Sequence, residues 1–358
     1  MNLKQFRSDG CLSYLLIDSK SREAALIDPT LEMMDDYRSF IADHKLTLKF
    51  ALDTHTHADH FSATQEIRTQ YKVDIGMSEL TGSARVTRRF KSGEKMTIGS
   101  ISLEVMATPG HTPDSVSYYA VEGALRLVFT GDTLFVGGSG RTDFPGSDPA
   151  QQWKSIHEIL GGLPDSTVVL PGHDYNDFLF TTIGVEKKKN AHWLIPSQEK
   201  FVAMKNQEGI STSREEIKKR IAFNLSSDAA TSAQTQNVGA ATSCGTVSKD
   251  LGSLAAISVQ KYQLKFDEKS NTSFIDVREE EEFQDEHIPR TKNIPLSEVA
   301  LHLDELTKSA RVYVSCLAGP RSAKAVKTLN YIGLPDVVNV TGGFKAWEQA
   351  GFETIKPK

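Results

Sequence analysis

The sequence has few cysteines, no long apolar run and no excess of basic residues. Its three cysteines, Cys11, Cys244 and Cys316, are too few and too widely spaced for the disulfide framework of a small secreted protein. No segment approaches the ~20 consecutive apolar residues of a membrane-spanning helix, and the first residues lack the apolar core of a signal peptide. We therefore expect a cytoplasmic protein with no membrane partner.

The balance of charge also excludes a class of partner. The chain has 41 basic and 46 acidic residues, a formal net charge of -5, whereas nucleic-acid-binding proteins usually carry a basic surface. Nucleic acid is therefore not an expected partner. The one basic cluster is interpreted as a solvated helix face rather than a binding site; it comprises Arg85, Arg88, Arg89 and Lys91.

Length and local composition predict two domains. The 358 residues exceed the roughly 250 to 300 at which a single hydrophobic core stops growing. Residues 1–225 mix strands and helices, including a hairpin of 15–17 with 24–27 and a helix over 145–162. Residues 226–253 are polar and almost free of large apolar side chains, as in a linker. Strands and helices alternate in 254–358, which predicts an α/β domain with a parallel sheet.

Seven ligand-type side chains form the strongest chemical signal. Four lie in the segment Thr-His-Thr-His-Ala-Asp-His, which is predicted to follow a buried strand so that alternating imidazoles share one face. Three more stand next to glycine at predicted strand ends, where the backbone can turn sharply. The set predicts a metal site, and its members are His55, His57, Asp59, His60, His111, Asp132 and His173.

On these residues, 1–225 resemble the metallo-β-lactamase superfamily, which implies a four-layer αββα sandwich with the metal at one edge of the sheets. His57 stands where the flavo-diiron branch has glutamate, and the short stretch from Asp132 to His173 leaves no room for the inserted domain of the nuclease branch. Two glutathione-linked branches remain. One is the glyoxalase II thioesterases, and the other is the persulfide dioxygenases.

The ligands alone do not separate these branches. All seven residues could hold two zinc ions, or a mixed pair, bridged by Asp132 for thioester hydrolysis. Alternatively, His55, His111 and Asp132 form a facial triad for one Fe(II), which leaves open positions for O2 and substrate. In that case His57, Asp59, His60 and His173 orient the site through hydrogen bonds or line a vacant second site.

The segment Gly140-Arg141-Thr142-Asp143-Phe144 favours the second branch, because it resembles a persulfide dioxygenase signature. The resemblance implies one Fe(II) per chain and the reaction of glutathione persulfide with O2 to give sulfite and glutathione. It also implies that Arg141, and less directly Tyr175, contact glutathione, and a guanidinium suits the carboxylates of that tripeptide.

A second reactive site is predicted where the strand VYVSC ends. Backbone amides of the following loop and the next helix can stabilise a thiolate or persulfide there. The loop consists of Cys316, Leu317, Ala318, Gly319, Pro320 and Arg321. Residues 254–358 resemble a rhodanese domain, which implies transfer of sulfane sulfur between thiosulfate or sulfite and glutathione, with Cys316 and Arg321 as catalytic residues. Asp276 and Arg278 are interpreted as a structural salt bridge, and Cys11 and Cys244 as incidental.

The presence of both domains in one chain supports the hypothesis of a persulfide dioxygenase coupled to a sulfurtransferase, because a rhodanese makes or consumes the persulfides that a persulfide dioxygenase oxidises. The main alternative is a binuclear metal thioesterase acting on S-acylglutathione, with an appended rhodanese domain that carries sulfur. A further alternative makes the C-terminal domain a persulfide carrier or docking module. The sequence is compatible with a homodimer.

Overall fold

The computed structural model describes residues 1–208, 214–226, 254–267, 271–334 and 336–356. The described parts of Met1–Asn176 and Thr182–Ser248 form one compact unit, and those of Asp177–Thr181 and Lys249–Lys358 form another. Apart from Ser226, the predicted linker 226–253 lies outside the described residues, so the domain boundaries stay predictions. In the part of the chain that the structure describes, no helix has the length and apolar character needed to cross a membrane.

Two six-stranded sheets form the centre of the first unit. In the first sheet, β1 to β3 pair antiparallel and β3 to β6 pair parallel. Its strands are Asn2–Ser8, Cys11–Ile17, Glu23–Ile27, Thr47–Leu52, Asp74–Ser78 and Arg88–Phe90. The second sheet has the order β12-β11-β10-β9-β8-β7. Its strands β7 to β12 are Lys95–Ile98, Ile101–Ala107, Val116–Glu122, Leu125–Gly131, Val168–Pro171 and Thr181–Thr182.

Helices cover the outer faces of both sheets. Helix α1 buries Met34, Tyr37 and Ile41, spaced by three and four residues, in a core with the side chains of the first sheet. A second core joins Val128 and Val169 of the second sheet to helical side chains. The layers are therefore αββα, as predicted. The helices α1 to α6 are Met34–Asp43, Thr64–Tyr71, Pro149–Lys154, Ile183–Lys189, Gln198–Lys205 and Arg214–Leu225.

Local details differ from the sequence predictions. Strand β1 precedes the predicted hairpin and pairs with β2, and the predicted helix over 145–162 is α3 followed by a π turn and a 3-10 turn. Strand β4 ends at Leu52, so the histidine motif lies in a loop after the strand rather than alternating at its end. The basic cluster is not a helix face, because Arg88 and Arg89 lie in β6 and Arg85 is buried.

The second unit is a five-stranded sheet of order β13-β17-β16-β14-β15, whose paired strands are parallel, as predicted. Tyr262, Tyr313 and Trp347 lie in its core. The strands β13 to β17 are Ala256–Ser258, Thr272–Asp276, Lys292–Asn293, Arg311–Ser315 and Val337–Thr341. The helices α7 to α11 are Val259–Gln263, Glu280–Asp285, Leu303–Leu306, Pro320–Tyr331 and Gly343–Gln349.

Candidate metal centre and cysteine loop

The fold brings all seven predicted ligand-type residues of the first unit together. Each follows a strand or lies in a loop at the same end of the sheets, after β4, β8, β10 and β11. None of the seven is more than 8% exposed. The seven are not equivalent, however, because their hydrogen bonds divide them into two sets.

Three of the seven present donor atoms to a common point. Donor atoms of His55, His111 and Asp132 lie within 4.8 Å of one another, with His111 Nε2 3.5 Å from Asp132 Oδ2. Buried His55 Nε2 and Asp132 Oδ2 have no hydrogen-bond partner in the described part of the chain, and the same holds for His57 Nδ1 and His60 Nε2. Two imidazole nitrogens and one carboxylate oxygen suit a divalent transition metal such as Fe(II). The residues therefore fit a bound metal.

The second nitrogen of each triad histidine is fixed by a hydrogen bond. His55 Nδ1 lies 2.9 Å from Thr54 Oγ1, and this hydroxyl donates to Asp28 Oδ2 at 2.9 Å. Because the hydroxyl has one proton, it accepts from His55, which leaves the lone pair of the imidazole on Nε2. His111 Nδ1 donates to the Arg141 carbonyl at 2.7 Å, with the same result for His111.

Burial also favours the metal-binding form of both histidines. Loss of solvation lowers the pKa of His55 well below its usual range and lowers the pKa of His111. An imidazole must be neutral to bind a metal. Asp132 is ionised, because nearby His173 lowers its pKa despite the opposing effect of burial. The triad is therefore in its ligand-competent protonation state near neutral pH.

Of the other four residues, the three histidines bond to carboxylates, and one of these carboxylates is the fourth residue, Asp59. His173 places Nδ1 2.7 Å from Asp132 Oδ1 and Nε2 2.8 Å from Asp59 Oδ2, while His60 Nδ1 lies 2.9 Å from Asp59 Oδ2. Burial opposes a charge on His173, but Asp132 raises its pKa well above the usual value. His57 Nε2 lies 3.2 Å from Asp28 Oδ1, and despite burial Asp28 raises the pKa of His57. The three histidines therefore donate hydrogen bonds to carboxylates, and Asp59 accepts them.

Several residues at this site were not foreseen from the sequence. Asp28 and Asp53 form a buried group with His57 whose potential donor atoms lie within 4.8 Å of one another. Asn224 of α6 donates to the carbonyls of His57 and His60 at 2.9 Å. Cys11, interpreted as incidental, lies with Sγ 3.3 Å from Asp59 Oδ2. Only Asp28 had a sequence signal, since it ends a predicted strand.

Arg141 and Tyr175 also lie beside the ligands. The Arg141 guanidinium makes a two-pronged ion pair with Asp143, lies 4.9 Å from the Phe144 ring centroid, and belongs to a residue that is 8% exposed. The Tyr175 ring stacks on His173 at a centroid distance of 5.8 Å. Arg141 and Asp143 therefore form a salt bridge within the loop.

In the second unit, Cys316 lies at the end of β16 and before α10. Its Sγ accepts a hydrogen bond from Gly319 N at 3.0 Å and lies 3.4 Å from Ser322 Oγ. Gly343, in the sequence VTGGF, packs against the start of this loop. A glycine is required there, because a Cβ on Gly343, where φ is +55°, would lie 2.0 Å from the Cys316 carbonyl oxygen. Phe344 N donates to that carbonyl at 2.8 Å.

The rest of the cysteine loop has a defined charge arrangement. Arg321 pairs with both carboxylate oxygens of Glu282, at 2.5 and 2.7 Å, and this bonding raises the pKa of Arg321 and lowers that of Glu282. Arg278 Nε donates to Asp276 Oδ2 at 2.9 Å, and both residues are buried. Arg278 and Asp276 therefore form the structural salt bridge that the sequence predicts. Leu317, Ala318, Gly319 and Pro320 complete the turn into α10.

Comparisons with known proteins agree with both halves. The family model "Metallo-beta-lactamase superfamily" matches residues 7–173, and "Rhodanese-like domain" matches 258–350. The chain is 33% identical over 204 residues to "Persulfide dioxygenase ETHE1, mitochondrial" of Mus musculus, covering 57% of this chain and 80% of that protein. The human protein of that name is 35% identical over 190 residues, covering 53% of this chain and 74% of the relative.

A solved structure extends the comparison. The crystal structure of ETHE1 from Myxococcus xanthus is 34% identical, with a TM-score of 0.57, and the match covers 63% of this chain and 96% of that one. Proteins of the same name therefore resemble this chain in both sequence and fold. Each of these matches covers only part of this chain, from 53% to 63%.

Proposed function

Because the chain belongs to the persulfide dioxygenase family of the metallo-β-lactamase superfamily and carries a rhodanese-like domain, we propose that it oxidises glutathione persulfide to sulfite and glutathione with O2. The reaction consumes one O2 and one water and releases two protons. The observation that carries the proposal is the convergence of His55, His111 and Asp132, whose donor atoms lie within 4.8 Å of one another. His57, His60 and His173 are instead hydrogen-bonded to carboxylates through at least one ring nitrogen.

In this proposal His55, His111 and Asp132 hold a single Fe(II). When bound, Fe(II) supplies the redox chemistry that lets O2 react with the terminal sulfur, and three side-chain ligands leave positions for both. Thr54 and the Arg141 carbonyl keep the Nε2 atoms of the two histidines directed at the metal. His173 bonds to the second oxygen of Asp132, which leaves Oδ2 for the metal.

The remaining residues bind and shield the substrate. Arg141 is the proposed partner of a glutathione carboxylate, with Asp143 holding its guanidinium in place. The Tyr175 ring, stacked on His173, offers a second contact surface. Burial of the triad excludes bulk water and protects a reactive persulfide from side reactions.

For the second unit we propose transfer of sulfane sulfur. The Cys316 thiolate attacks the outer sulfur of thiosulfate, the S–S bond breaks, and sulfite leaves with the electron pair. Glutathione thiolate then takes the outer sulfur from the Cys316 persulfide and regenerates the cysteine, giving glutathione persulfide. The Gly319 amide, 3.0 Å from Sγ, stabilises the negative sulfur. The reverse sequence, with sulfite as acceptor, uses the same groups.

One observation favours a second candidate function for the first unit. Donor atoms of Cys11, Asp59 and His173 also lie within 4.8 Å of one another, so a second metal has potential ligands beside the triad. Two zinc ions or a mixed pair there would suit hydrolysis of an S-acylglutathione. The hydrogen bonds of His173 to both Asp132 and Asp59 must break for His173 to become a ligand.

One experiment separates the two candidates. Protein purified without O2 is assayed for metal content and for O2 uptake with glutathione persulfide. We expect one iron per chain and persulfide-dependent uptake. Two zinc ions per chain, no O2 uptake and cleavage of lactoylglutathione would overturn the dioxygenase proposal and support the hydrolase.

A further inference from the structure

A short loop, residues 137–144, lies directly against two of the three triad ligands. Gly140 N donates to the Asp132 carbonyl at 3.0 Å, and the next peptide carbonyl, of Arg141, accepts from His111 Nδ1 at 2.7 Å. The segment packs closely against both ligands, because a Cβ on Gly140 would lie 2.1 Å from the Asp132 carbonyl oxygen and 3.0 Å from His111 Nδ1. A shift of the Gly140–Arg141 segment would therefore alter hydrogen bonds to both His111 and Asp132.

The carbonyl of Gly140, in the same short segment, is held by two buried side chains from helices distant in sequence. Lys205 Nζ, at the end of α5, lies 2.9 Å from the Gly140 carbonyl oxygen and 3.4 Å from that of Ser139. Gln152 Nε2, from α3, donates to the Gly140 carbonyl at 2.9 Å. Lys205 is 3% exposed and Gln152 is fully buried. The peptide is thus clamped between the ligands and these two donors.

A buried lysine is costly unless its charge is matched, so its presence calls for a physical reason. Glu208 Oε2 lies 3.1 Å from Nζ and supplies the opposite charge. Burial lowers the pKa of Lys205, while the carboxylate opposes this effect. Hydrogen bonds from a charged donor are roughly twice as strong as neutral ones, so the ammonium holds the Gly140 carbonyl more firmly than Gln152 does.

We propose that Lys205 is a positioning residue for the metal centre. Its ammonium holds the Gly140–Arg141 segment in place, and this segment presents Nε2 of His111 and the carboxylate of Asp132 to the metal. The inference rests on the triad of the proposed function, but it concerns metal binding rather than the reaction. It applies equally to Co(II) or Fe(II) in that site.

The test compares Lys205→Met with Lys200→Met in the full chain. Both changes remove one ammonium from α5, but the Lys200 side chain is exposed, whereas that of Lys205 is buried against the loop. Each protein is loaded with Co(II) without O2, and release of the metal to a chelator is followed together with the visible absorption of bound Co(II). We expect release to be ~10-fold faster for Lys205→Met, within the range for lost outer partners of metal ligands. The Co(II) bands should shift, and Lys200→Met should match the wild type.

Release and absorption identical to wild type in Lys205→Met would overturn the proposal. If Lys205→Met does not fold, Lys205→Gln decides instead: it replaces the ammonium with a neutral donor, and a smaller acceleration of release is expected. An unchanged release rate in Lys205→Gln would then overturn the proposal. If the wild type retains Co(II) but shows no persulfide-dependent O2 uptake with iron, the proposed function fails while the Lys205 comparison stands.

Discussion

The two candidate sites are built in different ways. The metal centre collects side chains from four loops between His55 and His173, and each ligand depends on partners from still other elements. The cysteine loop, in contrast, is six consecutive residues, and its nearest donor to Cys316 Sγ is the amide of Gly319 in the same loop. A contiguous loop derives its geometry from local backbone, whereas a dispersed site derives it from the packing of the whole unit. The two sites should therefore respond differently to substitution.

The substitution His55→Ala is expected to give the largest difference between the responses of the two sites. Loss of one of three ligands should abolish metal retention and persulfide-dependent O2 uptake, beyond the roughly 10 to 100-fold effect of losing an outer partner. Thiosulfate-to-thiol transfer should be unchanged. Metal analysis, O2 uptake and a sulfurtransferase assay on one preparation check this. Loss of both activities would contradict the assignment of separate sites.

The converse variant is Cys316→Ser. Because the sulfur acceptor is removed, transfer from thiosulfate should fall below detection, while O2 uptake with added glutathione persulfide should stay at the wild-type level. Cys244→Ser, in the predicted linker, is the matched control and should retain both activities. Transfer that persists in Cys316→Ser would refute the role of Cys316.

A smaller effect is expected from Thr54→Val, which removes the hydroxyl between His55 and Asp28. Without it His55 loses its fixed tautomer, so metal affinity should fall ~10-fold. Thr56→Val is the control, since the Thr56 hydroxyl bonds to Asp114 and not to a ligand. Competition titrations with a metal indicator measure both. Equal affinities would show that Thr54 does not orient the ligand.

In the cysteine loop, Ser322→Ala should have a modest effect. The hydroxyl is 3.4 Å from Cys316 Sγ and 2.7 Å from Asn339 Oδ1, so its loss removes one stabilising dipole near the sulfur. A hydrogen bond contributes about 0.5 to 1.5 kcal/mol, which corresponds to a several-fold fall in the transfer rate. Steady-state sulfurtransferase kinetics give the result, with Thr328→Ser on the same helix as control. A loss as large as that of Cys316→Ser would contradict a supporting role.

The smallest expected effect is a change with pH in the unfolding temperature of protein from which the metal has been removed. Burial and His57 lower the pKa of His60, but Asp59 raises it more, to about 9. A raised pKa stabilises the fold below the unfolded value of about 6.5, and this contribution is lost as the pH rises through about 9. The unfolding temperature of chelator-treated protein should therefore fall between these pH values. The fall should be smaller in His60→Gln, and an equal fall in both proteins would exclude His60 as its source.

Much of the fold followed from local patterns. The parallel-sheet second unit and most helices were predicted, because period-2 and period-3.6 apolar spacing is visible in a single sequence, whereas the αββα sandwich was predicted from the resemblance to the metallo-β-lactamase superfamily. Strand β1 was missed, since its side chains are only partly buried and its sequence, NLKQFRS, is mostly polar. The π and 3-10 turns after α3 were missed for a different reason: their apolar spacing resembles that of a continuous α-helix.

The site was predicted less evenly. The seven ligand-type residues and the cysteine loop were found, because histidines, glycines and cysteines at these spacings are chemically distinctive. Thr54, Asp28, Cys11 and Asn224 were not assigned roles, since a hydroxyl or amide becomes a ligand partner only through the residue that packs beside it. Arg141 was predicted as a glutathione contact, yet the structure adds a role for its carbonyl on His111.

The sequence by itself determined the kinds of atoms available: imidazoles and carboxylates in the first unit and a thiol before a glycine-containing turn in the second. Tertiary structure decided which of those atoms face one another. Residues such as Lys205 and Gly140 are 65 positions apart, and nothing local reveals that an ammonium bonds to that carbonyl. Hydrogen bonds depend on distance and direction in three dimensions, so the partner of each ligand-type side chain appears only in the packed fold.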